Sequence, residues 1–326
     1  MIKSNSEDAD LDEVLRKYFT SKFRSGYVTA KGVTMPERFA EMQEEIYNLE
    51  VNENDVWVCS FPKTGTTWTL EMVWMIMNNL DFIKGQENIE TRCPFLELSA
   101  IFDHRQNIKT IKDFDAPAYL QDSIKFLKEV DGPKCVKTHI PWVLLPRELQ
   151  ENIKKPKIIY VTRNPKDTCV SYYNHCRLLE GYTGDFEDFC RLFLAGKVAY
   201  APFWDHVFPF WERRTQPNVL FLKYEDMIND LPSVIRKVAQ FLERNLTDEQ
   251  IDKLTNHLCF ENMKNNNSVN YHIMVNFLRK HNMTSSVGSF MRSGKIGGAT
   301  SHMSADVIMK FEKWTKENLK DSDFSF

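Results

Sequence analysis

The sequence predicts an α/β fold, a single domain with a central parallel β-sheet flanked by helices. Four short apolar runs separated by longer helical stretches support this, and they span residues 55–60, 134–138, 157–162 and 218–223. Strands that alternate with helices pair in parallel through right-handed crossovers. The first run continues into a turn that contains Lys63 and Gly65 and then into a long apolar helix. This is a P-loop-like, phosphate-binding arrangement of strand, loop and helix, within one domain over residues 1–326.

The other segments follow from their periodicity and composition. Residues 1–35 are charged and weakly periodic, which predicts a mobile N-terminal segment before a helix at 36–49. Residues 81–133 mix aromatic, acidic and proline residues without a period, as expected of a segment that covers a ligand. Residues 284–301 are rich in Ser, Gly and Thr and predict a flexible loop. Further helices are expected at 66–80, 166–179, 232–243, 247–257 and 304–319.

Composition and charge argue against several classes of protein. The chain has 326 residues with 42% hydrophobic content, enough for a substantial core. Its net charge of −3 argues against a nucleic-acid partner bound through a basic surface. The sequence has no apolar signal core and no apolar run of about 18 residues, so we expect no membrane association. Seven cysteines without a Cys-x2-Cys pair favour reduced thiols in a cytoplasmic protein.

The turn after the first strand has the residues that an anion requires. Gly65 lets the backbone approach a ligand, the amides that follow lie at a helix N-terminus, and Lys63 supplies positive charge. A nucleotide-hydrolase loop reads Gly-x4-Gly-Lys-Ser/Thr, but here the lysine precedes the only glycine. The loop is therefore too short to wrap a triphosphate, and a 3′-phosphonucleotide sulfate donor fits it better. Taken alone, the turn could also be a simple connection.

Five spaced segments of the chain form a recognisable set. They read FPKTGTTW, KTH, RNPKDTCVS, YED and FMRSG, at residues 61–68, 137–139, 163–171, 224–226 and 290–294. Together and in this order they resemble the cytosolic sulfotransferases, over nearly the whole chain. The stretches near the C-terminus, 257–270 and 313–323, look most like the insect branch of that family, which includes retinol dehydratase. The resemblance implies the sulfuryl donor 3′-phosphoadenosine 5′-phosphosulfate (PAPS) and its product, the 3′,5′-bisphosphate PAP.

The resemblance also implies roles for individual residues, although each could instead be structural. His139 would be the general base, since an imidazole of near-neutral pKa can take a proton from a hydroxyl. Lys63 and Lys137 would stabilise the negative charge that develops on the sulfuryl and bridging oxygens. The aromatic rings of Trp68 and Phe260 would stack on adenine. The implied donor-binding residues are Lys63, Thr64, Gly65, Thr66, Thr67, Trp68, Arg163, Ser171, Tyr224, Leu258, Phe260, Phe290, Met291, Arg292, Ser293 and Gly294.

We expect the acceptor to be a small, largely apolar molecule with a hydroxyl group, such as a phenol, a steroid, a retinoid or another alcohol. Aromatic residues near the predicted site would line its pocket. These are Phe61, Phe95, Phe102 and Trp142. No metal is expected, because a sulfuryl group carries less negative charge than a phosphoryl group and two lysines can replace magnesium.

The chain departs from the family pattern at the donor site. Ser293 stands where the family usually has lysine, which removes a cation from the 3′-phosphate site, although Lys295 could compensate. Leu258 and Cys259 replace a Thr-Ser pair, which removes a hydroxyl near the nucleotide. We therefore expect a lower donor affinity than is usual. The short C-terminal dimer motif of the family is not recognisable, so a homodimer is left open.

Three alternatives to simple sulfuryl transfer stay open. The insect resemblance suggests a dehydratase, in which a sulfated allylic alcohol loses sulfate to give an olefin. A nucleotide kinase or switch-type hydrolase would need the missing Gly-x4-Gly-Lys-Ser/Thr loop. A non-catalytic carrier of a nucleotide or lipophile is suggested by the weakened 3′-phosphate site.

Overall fold

The central sheet of the protein has four parallel strands. In the computed structural model, the described part of the chain is residues 6–326, and its strands are β1 (Tyr27–Ala30), β2 (Val33–Pro36), β3 (Val56–Cys59), β4 (Cys135–Thr138), β5 (Lys157–Thr162) and β6 (Val219–Lys223). β1 and β2 form an antiparallel hairpin, whereas the other four form one parallel sheet in the order β4-β3-β5-β6. The predicted fold class is confirmed, and each predicted strand of the sheet agrees with the structure to within one residue at either end.

Both faces of the sheet are buried. Side chains alternate along each strand, so Trp57 and Tyr160 enter one apolar cluster while Val58 and Ile159 enter a second cluster on the opposite face. Helices cover both faces, as expected of a parallel sheet. Helices of eight or more residues are Ser6–Tyr18, Glu37–Tyr47, Thr66–Met77, Pro165–His175, Phe186–Leu194, Phe203–Glu212, Leu231–Phe241, Asp248–His257, His272–Lys280 and Ala305–Leu319.

Shorter helices fill the connections. The segment 81–133, predicted to cover a ligand, is built from short helical turns rather than from one long loop. The short helices of the chain are Lys84–Gln86, Ile89–Arg92, Leu98–Ile101, Arg105–Thr110, Ala118–Gln121, Ser123–Glu129, Trp142–Leu144, Arg147–Gln150, Tyr224–Asn229, Phe260–Asn265 and Gly298–Ser301, together with the π-helix Cys176–Glu180. Within residues 6–326, no helix combines the length and the apolar character needed to cross a bilayer.

The strand order determines where a ligand can bind. The chain leaves β3 toward β4 on one side, and it leaves β5 toward β6 on the other side. A crevice opens at the carboxyl ends of two strands whose connections diverge in this way. The Lys63 turn follows β3 and Arg163 follows β5, so both lie at this switch point.

The N-terminal segment differs from the prediction of a mobile stretch over residues 1–35. Residues 1–5 lie outside the described part of the chain, but residues 6–35 contain a helix and most of the β1–β2 hairpin. Phe19 and Phe23 are buried in the main apolar cluster. The backbone amide of Thr34 donates to the carbonyl of Ala201 at 2.9 Å, which joins the hairpin to the rest of the domain. Most charged side chains of the segment are exposed, although Arg24 is buried, and the short apolar periods of the segment did not reveal this packing.

Candidate active site

A cleft of about 380 Å³ opens at the carboxyl edge of the sheet. Its walls come from the four strand ends, the segment 81–133 and the loop 284–301. Most of the predicted site residues line it. They are Lys63, Gly65, Thr66, Thr67, Trp68, Phe95, Phe102, Lys137, His139, Arg163, Ser171, Tyr224, Leu258, Phe260, Phe290, Met291, Arg292, Ser293 and Gly294.

Three predicted site residues lie elsewhere. Phe61 is fully buried, and its ring packs edge-on against the ring of Phe203 at 5.2 Å in the core. Trp142 packs against Phe210 and under the guanidinium of Arg213, away from the cleft. Thr64 is also buried, and its hydroxyl lies 2.8 Å from the carbonyl of Phe61 and so supports the turn. Phe61 and Trp142 therefore do not line the cleft as predicted, because proximity in sequence does not decide which way a side chain points after a strand ends. The predicted contact of Thr64 with the donor stays a prediction.

The turn after β3 has the backbone that an anion cradle requires. Lys63 and Gly65 have positive φ angles of 70° and 110°. A Cβ atom at Gly65 would lie 2.8 Å from Cδ2 of Tyr224, so only glycine fits here without a shift. The helix Thr66–Met77 begins immediately after this glycine, and its first amides carry the positive end of the helix dipole.

His139 is held in a single orientation at the end of β4. Its Nδ1 lies 2.8 Å from the carbonyl oxygen of Ser60. A carbonyl only accepts hydrogen bonds, so Nδ1 carries the hydrogen and Nε2 keeps a lone pair. Burial, and then the positive charge of Lys137, lowers the pKa of His139 well below its usual range. The ring is therefore neutral near pH 7 and can accept a proton through Nε2.

Lys137 is bound by two residues that the sequence did not reveal. Its Nζ lies 3.1 Å from Oε1 of Glu90 and donates to the hydroxyl of Tyr271 at 2.8 Å. The Tyr271 hydroxyl in turn makes a short hydrogen bond to Oε1 of Glu90. The ammonium also lies 4.1 Å from the ring centroid of Phe95. Glu90 and Tyr271 lie in segments whose sequence shows no periodicity. Only their contacts with Lys137 in the folded chain identify them as residues of the site.

Lys63 lies in a strongly desolvated position. Burial, and then the neighbouring charges of Lys137 and Arg163, lower the pKa of Lys63 to about 7. Its Nζ is 3.5 Å from the ring centroid of Phe290, a cation–π contact. An anion in the cleft would restore the full charge of this lysine.

Arg163 connects the end of β5 to the loop 284–301. Its NH2 donates to the carbonyl of Lys295 at 2.9 Å, and its guanidinium lies 4.3 Å from the ring centroid of Tyr224. The Nε atom is buried and has no hydrogen-bond partner in the described part of the chain. The carboxylate of Asp167 accepts from the amides of Gly297 and Ala299 at 2.8 and 2.9 Å, which attaches the end of the loop to the helix Pro165–His175.

The loop brings Arg292 and Ser293 to the cleft, but it does not bring Lys295. The Lys295 side chain is exposed and does not line the cleft, so the suggested compensation for Ser293 is not seen. Phe260 packs directly on Gly294, where a Cβ atom would lie 2.3 Å from Cδ2 of the ring. Trp68 contacts Tyr224 edge-on at 5.6 Å. These aromatic rings form one end of the cleft, with the guanidinium groups beside them.

Metal ligands are not gathered anywhere in the part of the chain that the structure describes. Across residues 6–326 no group of three or more His, Cys, Asp or Glu side chains could hold a metal ion. The absence of a metal requirement stays a prediction.

Comparisons with known proteins identify the family of the chain. The sequence model of the family described as "Sulfotransferase domain" matches residues 53–323. A luciferin sulfotransferase of Photinus pyralis is 39% identical over 325 residues, 99% of this chain and 88% of that protein. Sulfotransferase 1E1 of Homo sapiens is 34% identical over 90% of this chain and 94% of its own length.

Solved structures give the same result. The structure of retinol dehydratase in a complex with retinol and PAP has a TM-score of 0.86 at 30% identity, and the match covers 99% of this chain and 97% of that one. A second retinol dehydratase structure, with androsterone and PAP, also has a TM-score of 0.86 at 30% identity and covers 97% of this chain and 96% of that one. The chain therefore belongs to the sulfotransferase family, as a PAPS-dependent sulfotransferase of its insect branch.

Proposed function

We propose that the protein transfers the sulfuryl group of PAPS to a hydroxyl of a small, largely apolar acceptor, with His139 as the general base. One observation carries this proposal. The Nδ1 atom of His139 is fixed by the Ser60 carbonyl, which leaves a neutral Nε2 in a cleft that also contains Lys63 and Lys137. A positioned base beside two cations suits the deprotonation of a hydroxyl and the stabilisation of a departing phosphate.

The residues present fit the donor. The turn at Gly65 and the first amides of the helix Thr66–Met77 form a cradle for a 5′-phosphate. A 3′-phosphate would be held by Arg163, whose Nε has no hydrogen-bond partner among the described residues, and by the hydroxyl of Ser171, and Arg292 also lines the cleft. When bound, PAPS supplies the sulfuryl group and its leaving phosphate.

The residues of the chain would have separate roles in the transfer. His139 takes the proton of the acceptor hydroxyl through Nε2, so that the acceptor oxygen forms the new bond to sulfur. Lys63 and Lys137 would supply positive charge to the bound donor, which would stabilise the phosphate of PAP as it leaves with the electron pair of the broken sulfur–oxygen bond. Lys137 must exchange at least part of its contact with Glu90 and Tyr271 for the donor.

The acceptor side of the cleft is apolar. Its lining includes Phe95, Leu98, Ile101, Phe102 and Met274. These side chains favour an aromatic or alicyclic acceptor over a sugar or a peptide.

The direct test is an assay of labelled sulfate transfer. The protein should convert labelled PAPS and a panel of phenols, steroids, retinoids and alcohols into sulfate esters without added metal. A parallel reaction with ATP and magnesium is the control for the kinase or hydrolase alternative. Binding of PAP without transfer to any acceptor would instead favour a carrier.

A second candidate reaction is dehydration of an allylic alcohol through a sulfated intermediate. It is favoured by the retinol dehydratase structures, one of which contains retinol and PAP. Chromatography of the products from retinol separates the two reactions, because transfer gives a stable sulfate ester and dehydration gives an olefin and free sulfate.

Binding of PAP is expected to take up a proton at a pH above about 7. The pKa of free Lys63 is lowered to about 7 by burial and by Lys137 and Arg163, and the negative charges of PAP would raise it again. Affinity should therefore fall as the pH rises through that value, by at most about tenfold per pH unit. Calorimetry in buffers of different ionisation enthalpy measures the uptake. Uptake that persists in Lys63→Met would assign the proton to another group.

Ser293→Lys is expected to tighten PAP binding about fivefold, the size of one well-placed partly exposed ion pair. Ser293 lines the cleft, so a lysine here can reach the 3′-phosphate. Calorimetry with PAP measures the change, and Ser285→Lys, in the same loop but outside the cleft lining, is the matched control. Equal affinities for wild type and Ser293→Lys would contradict the prediction.

We propose a cytoplasmic location, which the seven free cysteines support, since all except Cys259 are buried. Imaging of a tagged chain in cells of an insect tests it. Sedimentation equilibrium distinguishes a monomer from a homodimer, which the sequence left open.

A further inference from the structure

A buried polar network adjoins the apolar side of the cleft. The Glu180 carboxylate accepts from NH1 of Arg24 at 2.8 Å through Oε2, and its Oε1 lies 3.0 Å from Nε2 of His175. Both Glu180 and His175 line the cleft, beside Lys63, Leu179 and Phe290. None of these contacts takes part in the sulfuryl transfer derived above.

The winding of the chain brings His175 and Glu180 together. The α-helix Pro165–His175 continues as a π-helix over Cys176–Glu180. In an α-helix, residues five apart point in directions that differ by about 140°. In a π-helix the hydrogen bonds join residues five apart, so such residues lie one above the other. The widened turn therefore sets the carboxylate of Glu180 against the imidazole of His175, and π-helical turns of this kind are frequent at functional sites.

The network fixes the hydrogen position on His175. Burial opposes ionisation of Glu180, but Arg24 and the contact with His175 hold its pKa at about 2, so the carboxylate is charged and only accepts. Burial lowers the pKa of His175 to about 4, although the contact with Glu180 acts in the opposite direction. His175 is therefore neutral, with its hydrogen on Nε2 and a lone pair on Nδ1.

The Nδ1 atom of His175 has no partner. It is buried and makes no hydrogen bond in the described part of the chain. A buried acceptor left without a donor costs about 1–3 kcal/mol. Because the ring lines the cleft, a ligand in the apolar part of the cleft can supply the missing donor.

We infer that His175 is a specificity residue that accepts a hydrogen bond from a second hydroxyl or N–H group of the acceptor. The inference rests on the proposed function. It narrows the substrate class to apolar acceptors with two polar groups, one that is sulfated at His139 and one that donates to Nδ1 of His175. Glu180 and Arg24 act through His175, because they fix its tautomer.

The test compares matched two-ring acceptors. The set is 2-naphthol, the 1,5-, 2,6- and 2,7-dihydroxynaphthalenes, and the monomethyl ether of each diol. The ether keeps the second oxygen but loses its hydrogen-bond donor, and 2-naphthol lacks the second oxygen altogether. In the wild type, at least one diol should have a kcat/KM about tenfold above that of its ether, mostly through KM. His175→Phe should reduce this ratio to about twofold or less. His175→Gln, whose amide oxygen can accept, should restore part of it, and His272→Phe, an exposed residue outside the cleft lining, is the matched control.

Two outcomes would overturn the inference. One is a wild type that does not prefer any of the three diols over its ether. The other is a His175→Phe variant that lowers kcat/KM equally for diol and ether, which would indicate a structural role. If the wild type sulfates neither these acceptors nor any member of the panel of phenols, steroids, retinoids and alcohols, the proposed function fails instead. In that case, calorimetry of diol and ether binding to the PAP-bound protein tests the subsite by itself, with the same tenfold difference expected.

Discussion

His139→Asn is expected to lower kcat by about 10²- to 10⁴-fold, the contribution typical of a general base. Asparagine can still donate to the Ser60 carbonyl as Nδ1 does at 2.8 Å, but it provides no group that takes up a proton. The binding of PAP should change little, because His139 lies at the end of β4 and the donor cradle is formed by the turn after β3. Labelled sulfate transfer measures kcat, and calorimetry measures PAP binding.

The matched control for this variant is His272→Asn, an exposed histidine that does not line the cleft. It should keep wild-type kcat. A His139→Asn enzyme with unchanged kcat would exclude His139 as the base. A variant that loses PAP binding and thermal stability together would show that the residue supports the fold, since its Nδ1 and backbone both make buried hydrogen bonds.

Lys63→Met is expected to lower kcat/KM by about 10²- to 10³-fold, as the loss of one charged donor aimed at a developing negative charge does elsewhere. Methionine keeps most of the apolar volume of the side chain over the Phe290 ring, so the fold should be retained. The variant should also bind PAP more weakly, because the ammonium group is lost. The backbone amides at Gly65 remain, so binding should not be abolished. Steady-state kinetics with labelled PAPS and calorimetry with PAP measure the two effects.

Lys63→Arg separates the effect of charge from the effect of side-chain shape, and Lys155→Met is the matched control. Arginine restores the charge but not the compact ammonium, so it should recover only part of the activity. Lys155 is exposed and lies outside the cleft lining, and its replacement should have no effect. If Lys63→Met transfers sulfate as fast as the wild type, Lys137 alone carries the charge stabilisation and the proposed division of roles is wrong.

The sheet and most of the donor site followed from local sequence. Four apolar runs of strand length alternate with helices, and this pattern fixes the direction of the strands. Polar residues placed directly after each strand then meet at one edge, as Lys63, His139, Arg163 and Tyr224 do. The glycine of the turn was also recognisable, because no other residue adopts its backbone conformation without strain.

The hydrogen bonds of the proposed catalytic groups depended on contacts between distant segments. Lys137 meets Glu90 and Tyr271, which are 47 and 134 residues away in sequence. Whether Phe61 and Trp142 enter the core or the cleft depends on the direction of their side chains. Along a strand this direction reverses at every residue, so an error of one residue in a predicted strand end reverses it.

The sequence by itself thus determined the architecture and the P-loop-like turn, and the resemblance of its short motifs to the sulfotransferases indicated the family, because strand periodicity, a glycine turn and short motifs are local properties. Only the tertiary structure decided the packing of the N-terminal segment, the low pKa of Lys63 and the buried Nδ1 of His175 that has no hydrogen-bond partner among the described residues. Each of these depends on desolvation and on hydrogen bonds between residues far apart in the chain, and such contacts exist only after the chain has folded.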